Sequence, residues 1–250
     1  MTMQFGLKLG SKDISYTNDI VSYYNDGYFQ YMELFAVPGS FDDTIGYWRQ
    51  FSIPMIIHAP HSSVGMNLSS FEAREGNKGM IREAFRFADT LKARYIIFHA
   101  GVNGDIGETI NQLHPFVDSR CLIENQPIKG LNGENCAGAT PKELSCAMNE
   151  LQTGFCLDFG HAICAANTVR KEPIGFIGEF IALNPSMYHL TDGDMASECD
   201  SHLHYGDGTF PLSKLLGMLP DGAMVTNEAK HDSDIDLSSF KKDFLYAKAI

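Results

Sequence analysis

The segment Tyr95-Ile96-Ile97-Phe98-His99 is a short apolar run that ends on an imidazole side chain. Five other apolar runs also end on His, Asp or Glu. They are Met55-Ile56-Ile57-His58, Cys121-Leu122-Ile123-Glu124, Gly154-Phe155-Cys156-Leu157-Asp158, Met187-Tyr188-His189 and Met224-Val225-Thr226-Asn227-Glu228. A buried strand rarely ends on such a group unless the group has a partner. Six endings of this kind predict a ring of polar side chains at one end of a sheet.

Two further apolar runs, Phe5-Gly6-Leu7-Lys8-Leu9 and Tyr31-Met32-Glu33-Leu34-Phe35, bring the number of predicted strands to eight. Helical periodicity lies between the strands, most clearly over 80–91, and Thr140-Pro141 has the form of a helix start. Residues 210–219 and 236–249 are further helix candidates. Alternating strands and helices predict a parallel sheet.

Eight such units in 250 residues predict an α/β fold of the (β/α)8 TIM-barrel type, as a single domain over residues 1–250. The alternative is an open, doubly wound sheet. The sequence has neither the GxGxxG motif nor the P-loop that nucleotide-binding versions of that fold carry. In a barrel, the carboxyl ends of the strands form the active-site face, so all six polar endings would point into one bowl.

The composition favours a globular domain over a nucleic-acid-binding or membrane-spanning protein. Hydrophobic content of 44% and charged content of 20% are ordinary for a globular domain. The net charge is −12, and the 19 Lys and Arg form no run, so a broad grip on nucleic acid is not expected. No apolar stretch approaches the roughly 20 residues that span a membrane, and no secretion signal is visible, so we expect a cytoplasmic protein. The six cysteines are expected to be reduced.

Three more potential metal ligands follow the strand endings: His161, three residues after Asp158, and the pair Asp200 and His202. The full set is five histidines (58, 99, 161, 189 and 202) and four carboxylates (Glu124, Asp158, Asp200 and Glu228). Mixed imidazole and carboxylate sites suit zinc, with manganese or iron(II) as alternatives. Nine ligands exceed what one ion uses, and carboxylates can bridge, so one to three divalent ions are expected. A purely structural role for these residues would have to apply separately to all six polar strand endings, which favours a shared site over a structural role.

Other polar residues allow two interpretations each. His61 is either a group that orients a ligand or an ordinary loop histidine. His204 either lines the substrate pocket or is solvated. Lys8 and Lys230 either meet an anionic group of the substrate or form salt bridges at the barrel mouth. Glu33 interrupts an apolar strand, which favours pairing inside the barrel over catalysis.

Taken in order, these motifs resemble the xylose-isomerase-like TIM-barrel superfamily, which contains sugar-phosphate isomerases and epimerases and endonuclease IV. The matching segments are His58-Ala59-Pro60, His99-Ala100-Gly101, Glu124-Asn125, Asp158-Phe159-Gly160-His161-Ala162, His189-Leu190-Thr191-Asp192, Asp200-Ser201-His202-Leu203 and Glu228. Gly206-Asp207-Gly208 is similar to the G-x-G that follows D-x-H in both branches.

The endonuclease IV resemblance implies three zinc ions. They would be held by His58, His99 and Glu124, by Glu124, Asp158, His189 and Glu228, and by His161, Asp200 and His202. A bridging hydroxide would attack a phosphodiester.

Three departures count against DNA cleavage. Gly6-Leu7-Lys8-Leu9-Gly10-Ser11 replaces the opening Gly-x-His-x-Ser motif. The loop at 37–43 is acidic where an arginine is expected, and Ser201 stands where endonuclease IV has an arginine.

The isomerase branch implies one divalent ion held by Glu124, Asp158, His189 and Glu228. Glu124 and Glu228 would move protons on opposite faces of a sugar, and His161 would help to place it. Three ions would leave the site positive and suited to a phosphate, whereas one would leave it negative and suited to a neutral sugar.

The sequence therefore predicts a metal-dependent isomerase or epimerase acting on a small-molecule sugar or sugar phosphate. An endonuclease-IV-like hydrolase is the alternative, and a barrel that only binds metal or sugar is a third class. No sequence feature indicates an oligomeric state.

Overall fold

Eight parallel strands close into a barrel in the order in which they occur in the chain. This is seen in a computed structural model, which describes residues 3–250. The strands are β1 (Gln4–Gly10), β2 (Tyr31–Phe35), β3 (Met55–His58), β4 (Ile96–His99), β5 (Cys121–Glu124), β6 (Gly154–Asp158), β7 (Met187–Leu190) and β8 (Met224–Asn227). β8 pairs with β1 and closes the sheet. The predicted TIM barrel is confirmed, and the open sheet is wrong.

Helices surround the barrel. They are α1 (Thr17–Asn25), α2 (Phe41–Trp48), α3 (Arg74–Leu91), α4 (Ile106–Leu113), α5 (Pro141–Leu151), α6 (Phe159–Thr168), α7 (Pro173–Ile181), α8 (Leu212–Leu216) and α9 (Ser238–Ala249). The Thr140 side chain caps α5, and Glu143 caps in return. α3 begins at Arg74, six residues before the start that the sequence predicts. The prediction misses these residues because the first turns of the helix are polar and carry no apolar stripe. Within residues 3–250, no helix has the length and apolarity needed to cross a membrane.

The period of two in each strand places the polar endings inside the barrel. Ile56, Ile97, Leu122, Cys156 and Met187 belong to one buried cluster. Each lies two positions before a polar ending, on the same side of its strand, so the cluster forms an apolar floor beneath the polar bowl. The side chains that alternate with them face the helices and join the larger core. All six cysteines are free.

Candidate metal centre

Glu124, at the end of β5, is fully buried and lies at the centre of the bowl. Its Oε2 lies 3.2 Å from Nε2 of His58, 3.2 Å from Nε2 of His99 and 3.4 Å from Nδ1 of His189. Its Oε1 lies 3.3 Å from Nδ1 of His161. These gaps exceed the roughly 2.7–2.9 Å of a charge-assisted hydrogen bond. Four imidazoles therefore surround one carboxylate, and the contact with Nε2 of His58 is a hydrogen bond.

Three of the five histidines have one ring nitrogen committed to a backbone carbonyl. Nδ1 of His58 lies 2.7 Å from the oxygen of Ala59, Nδ1 of His161 lies 2.9 Å from that of Asn125, and Nδ1 of His202 lies 2.8 Å from that of Glu228. A carbonyl can only accept, so Nδ1 donates, and Nε2 is the nitrogen that could bind an ion. A metal-ligating histidine has this arrangement, in which the second nitrogen fixes the ring orientation.

His189 uses its nitrogens in the opposite way. Its Nε2 lies 2.9 Å from Oε2 of Glu33, so the N–H is donated to a carboxylate below the bowl. Its Nδ1 lies 2.9 Å from Oε1 of Glu228 and 3.4 Å from Oε2 of Glu124, yet within the described chain it forms no well-directed hydrogen bond. Nδ1 of His189 therefore faces two carboxylates, a geometry that a proton on this nitrogen or a cation between the three groups would satisfy.

Glu33 is held from three sides inside the barrel. Besides His189, it accepts a 2.7 Å hydrogen bond from Oγ1 of Thr226, whose hydroxyl pairs with that of Tyr31 at 2.9 Å. Its Oε1 lies 3.1 Å from Nζ of Lys8. Burial alone would raise the pKa of Glu33, but His189 and Lys8 outweigh it and lower the pKa to about 2. The predicted pairing of Glu33 inside the barrel is confirmed.

Asp158 and His161 lie three residues apart at the N-terminus of α6, where Asp158 is the N-cap residue. Oδ1 of Asp158 caps α6 by accepting the backbone N–H of His161 at 2.6 Å. The amide of Asn125 holds the Asp158 backbone through bonds of 2.7 and 2.8 Å. Burial raises the pKa of Asp158 to about 6, and the neighbouring carboxylates of Asp200 and Glu228 act in the same direction. The sequence prediction assigned no role to Asn125, although its place directly after Glu124 was a usable signal.

The loop after β7 brings His161, Asp200 and His202 together. Nε2 of His202 contacts Oδ2 of Asp200, which lies 3.7 Å from Nε2 of His161. Oδ1 of Asp200 is buried without a hydrogen-bond partner in the part of the chain that the structure describes. Burial alone would lower the pKa of His202, but the Asp200 carboxylate raises it to about 9. His202 also has a φ of +50°, a strained conformation for a non-glycine residue at a candidate site.

Asp192 orders this loop. Its carboxylate accepts backbone N–H groups from Gly193 at 2.8 Å, Gly206 at 2.9 Å, Gly208 at 3.1 Å and Phe210 at 3.0 Å. A Cβ on Gly208 would lie 2.4 Å from Oδ1 of Asp192 and from the oxygen of Gly193. Gly208 is therefore required by the close approach of the backbone to this buried carboxylate, whereas Gly206 has a φ of +92° that favours glycine.

The nine ligand residues fall into three groups, two of which share Glu124, and within each group the ligand atoms lie within 4.8 Å of one another. The groups are His58, His99 and Glu124; Glu124, Asp158, His189 and Glu228; and His161, Asp200 and His202. These are the three sets that the resemblance implied. Unpartnered buried atoms occur in each set: Oε1 of Glu124, Nδ1 of His189 and Oδ1 of Asp200 lack hydrogen-bond partners among residues 3–250. The residues therefore fit borderline divalent ions such as zinc.

A cavity of about 540 Å³ opens above the donor groups. One wall is a loop after β5, held by antiparallel bridges between Lys129 and Asn135 and between Val102 and Cys136. Nζ of Lys129 lies 2.5 Å from Oε2 of Glu198 and ties this loop to the one after β7. The sequence prediction did not include this wall, because its pairing joins short irregular segments without periodicity.

Of the four predicted substrate contacts, Lys8 and His61 line the cavity. The His61 ring stacks on His99 at 5.1 Å, and burial lowers its pKa to about 2, so the imidazole is neutral. His204 and Lys230 are not brought into the lining, which corrects their expected placement. His204 instead binds Asp243 at 2.8 Å through Nδ1, and Lys230 points to solvent.

Comparisons with known proteins identify the family of this chain. The model of the xylose isomerase-like TIM barrel family matches residues 38–246. The probable endonuclease 4 of Thermoplasma volcanium is 27% identical over 164 residues, which cover 59% of this chain and only 57% of that curated relative.

Two solved structures share the fold. Endonuclease IV from Thermus thermophilus has a TM-score of 0.72 at 20% identity, with 98% of each chain covered. A D-tagatose 3-epimerase-like protein has a TM-score of 0.69 at 17% identity, with 99% of this chain and 96% of that one covered. With most of its length matched by the family model, the chain belongs to the xylose isomerase-like TIM barrel family.

Proposed function

We propose that this protein is a divalent-metal-dependent isomerase or epimerase that acts on a sugar or sugar phosphate. One observation carries the proposal: the buried carboxylates of Glu124 and Glu228 converge on Nδ1 of His189 from β5 and β8, which lie three strands apart around the barrel. Two carboxylates that enter from different sides can remove a proton from one face of a substrate and return one at the other.

Both carboxylates are ionised at neutral pH. Burial alone would raise the pKa of Glu124, but His99 and His189 hold it well below its ordinary value. Burial is likewise outweighed at Glu228, where His189 and Lys8 keep the pKa well below its ordinary value. Each group can therefore accept a proton, as a general base must.

In the proposed reaction, one carboxylate takes the proton from the carbon beside the sugar carbonyl. The C–H bond breaks, its electron pair moves toward the carbonyl, and an enediolate forms. In an epimerase, a carboxyl group then gives a proton back to the same carbon on its opposite face, and the original carbonyl re-forms. In an isomerase, the proton goes to the former carbonyl carbon, the hydroxyl proton of the neighbouring carbon moves to the former carbonyl oxygen, and the carbonyl re-forms at the neighbouring carbon. A divalent ion held by Glu124, Asp158, His189 and Glu228 would supply positive charge beside the sugar oxygens. His161, at the rim of this group, would orient the substrate.

The charges at the cavity support a sugar over DNA. Lys8 and Lys129 line the cavity, and each already has a carboxylate partner. None of the described residues that line the cavity is an arginine, the side chain best suited to gripping phosphates. Among these described lining residues, no lysine or arginine is therefore left unpaired to contact a phosphodiester backbone.

The second candidate is an endonuclease-IV-like hydrolase that cleaves DNA at abasic sites. The specific observation in its favour is that the ligand atoms form three groups, which would hold three zinc ions around one phosphate. Chelator-sensitive nicking of an abasic-site oligonucleotide at low salt tests it, and an intact oligonucleotide would refute it.

The decisive experiment for the isomerase is exchange of solvent deuterium into a panel of sugars and sugar phosphates. Metal-loaded protein should label the carbon beside the carbonyl of at least one sugar, and Glu124→Gln and Glu228→Gln should each abolish labelling. The matched control is Glu179→Gln, which alters an exposed carboxylate on α7 and should label normally.

Absence of exchange over the whole panel, with nicking of abasic DNA, would refute the isomerase and support the hydrolase. If neither activity is found, and Glu124→Gln and Glu228→Gln leave binding of metal or sugar intact, the barrel serves only to bind metal or sugar.

A further inference from the structure

Lys8 places a fixed positive charge at the edge of the bowl. It lies on β1 beside Glu33 of β2 in the strand register, and its Nζ is 3.1 Å from Oε1 of Glu33. The same Nζ contacts Oε1 of Glu228, just beyond β8. The Lys8 side chain is only 21% exposed, and it lines the cavity.

The residues around this ammonium form a fourth potential donor group. Glu33, His58 and Glu228 are all buried, and they offer ligand atoms within 4.8 Å of one another. The same upper distance holds for the three groups already described, and the residue types are the same. Two members, His58 and Glu228, also belong to the first and second groups. This group differs from the others because a lysine side chain of the protein itself lies against two of its three members.

Two carboxylates this close cannot both remain ionised without a cation beside them. In the group formed by Glu124, Asp158, His189 and Glu228, a divalent ion would be that cation. Here the ammonium of Lys8 fills the role, and since it is covalently attached, it cannot leave or be exchanged.

We propose that Lys8 takes the place of a divalent ion at the group formed by Glu33, His58 and Glu228, and so limits the number of ions that the bowl binds. The inference rests on the proposed function only in requiring that the bowl bind divalent ions. Removing the ammonium should open the fourth group, and one more ion per chain should then bind.

The test is metal content per chain by elemental mass spectrometry, on untagged protein equilibrated with zinc and freed of excess by gel filtration. Lys8→Met should carry one more zinc ion than the parent, and Lys8→Arg should carry the same number as the parent. Lys129→Met is the matched control, because Lys129 lines the same cavity but pairs with Glu198 outside the bowl. It should carry the parental number.

An unchanged or lower zinc content in folded Lys8→Met, as judged by circular dichroism, would overturn the inference. Should Lys8→Met not fold, Lys8→Gln provides the same test, since the amide keeps a polar group but removes the charge. A parent that binds no divalent ion would refute the proposed function itself. A parent that binds ions, with no gain in either variant, would refute the role of Lys8 alone.

Discussion

Glu33 provides a test of the metal centre from outside the proposed ligand set. Replacing it by glutamine keeps the shape of the side chain and removes its charge. In the native barrel, Glu33 accepts the N–H of His189 at 2.9 Å and a hydrogen bond from Thr226 at 2.7 Å, and it lies 3.1 Å from Lys8. The substitution leaves His189 with a neutral acceptor, so its opposite nitrogen becomes a weaker ligand.

The size of the effect follows from this position. Losing the partner behind a metal-ligating histidine lowers metal affinity by roughly 10–100-fold, or about 1.4–2.7 kcal/mol. We expect Glu33→Gln to fall in that range because the carboxylate is fully buried and no water can replace its charge.

Competition against a chromophoric zinc chelator at constant pH measures the loss. Thr226→Val is the matched control, since it removes one hydrogen bond from Glu33 but leaves the charge, and it should weaken zinc binding less. If Glu33→Gln bound zinc as tightly as the parent, the assignment of Glu33 as the partner that orients His189 would be wrong.

Three further predictions concern pH and stability. Because Asp200 outweighs burial and raises the pKa of His202 to about 9, this imidazole is protonated at neutral pH without metal. Zinc binding should therefore release protons, detectable by pH-stat titration, and zinc affinity should rise with pH up to that pKa; a pH-independent affinity would contradict this. Gly208→Ala should destabilise the protein by about 1–3 kcal/mol in urea unfolding, because a Cβ there meets Asp192 and backbone. Gly178→Ala, in open space, should not destabilise it. Thr140→Ala should cost about 1 kcal/mol through loss of the α5 cap, and an unchanged urea midpoint would show that the cap contributes little.

The fold was predictable because its signal is local. Each strand is a short apolar run with its own period, and each polar ending is visible within four or five residues. Strand bounds shift by a residue: His189 lies one position before the end of β7, and Glu228 lies one position after β8. The pattern over 210–219 predicts a longer helix than α8, which spans only Leu212–Leu216. The helix does not start at Phe210 because the backbone N–H of Phe210 is donated to the carboxylate of Asp192.

The surroundings of the site were less predictable because they depend on contacts between distant parts of the chain. The pairing of His204 with Asp243 brings together a loop and the last helix, and no local pattern reveals it. The link from Tyr31 through Thr226 to Glu33 depends on the closure of β8 onto β1 and the side-chain directions this sets. The grouping of the nine ligands came from the family resemblance rather than from spacing.

The donor side chains come from six consecutive strands, β3 to β8, and from the segments that directly follow them, including the first turn of α6. An ion held among them would act as a cross-link between segments that are far apart in the unfolded chain, where closing such loops is entropically costly. A ligand that binds only the folded state also raises its stability by mass action. Chelation of such an ion should therefore weaken the carboxyl-terminal rim of the whole barrel at once, and the melting temperature of the protein should then depend on the concentration of free metal.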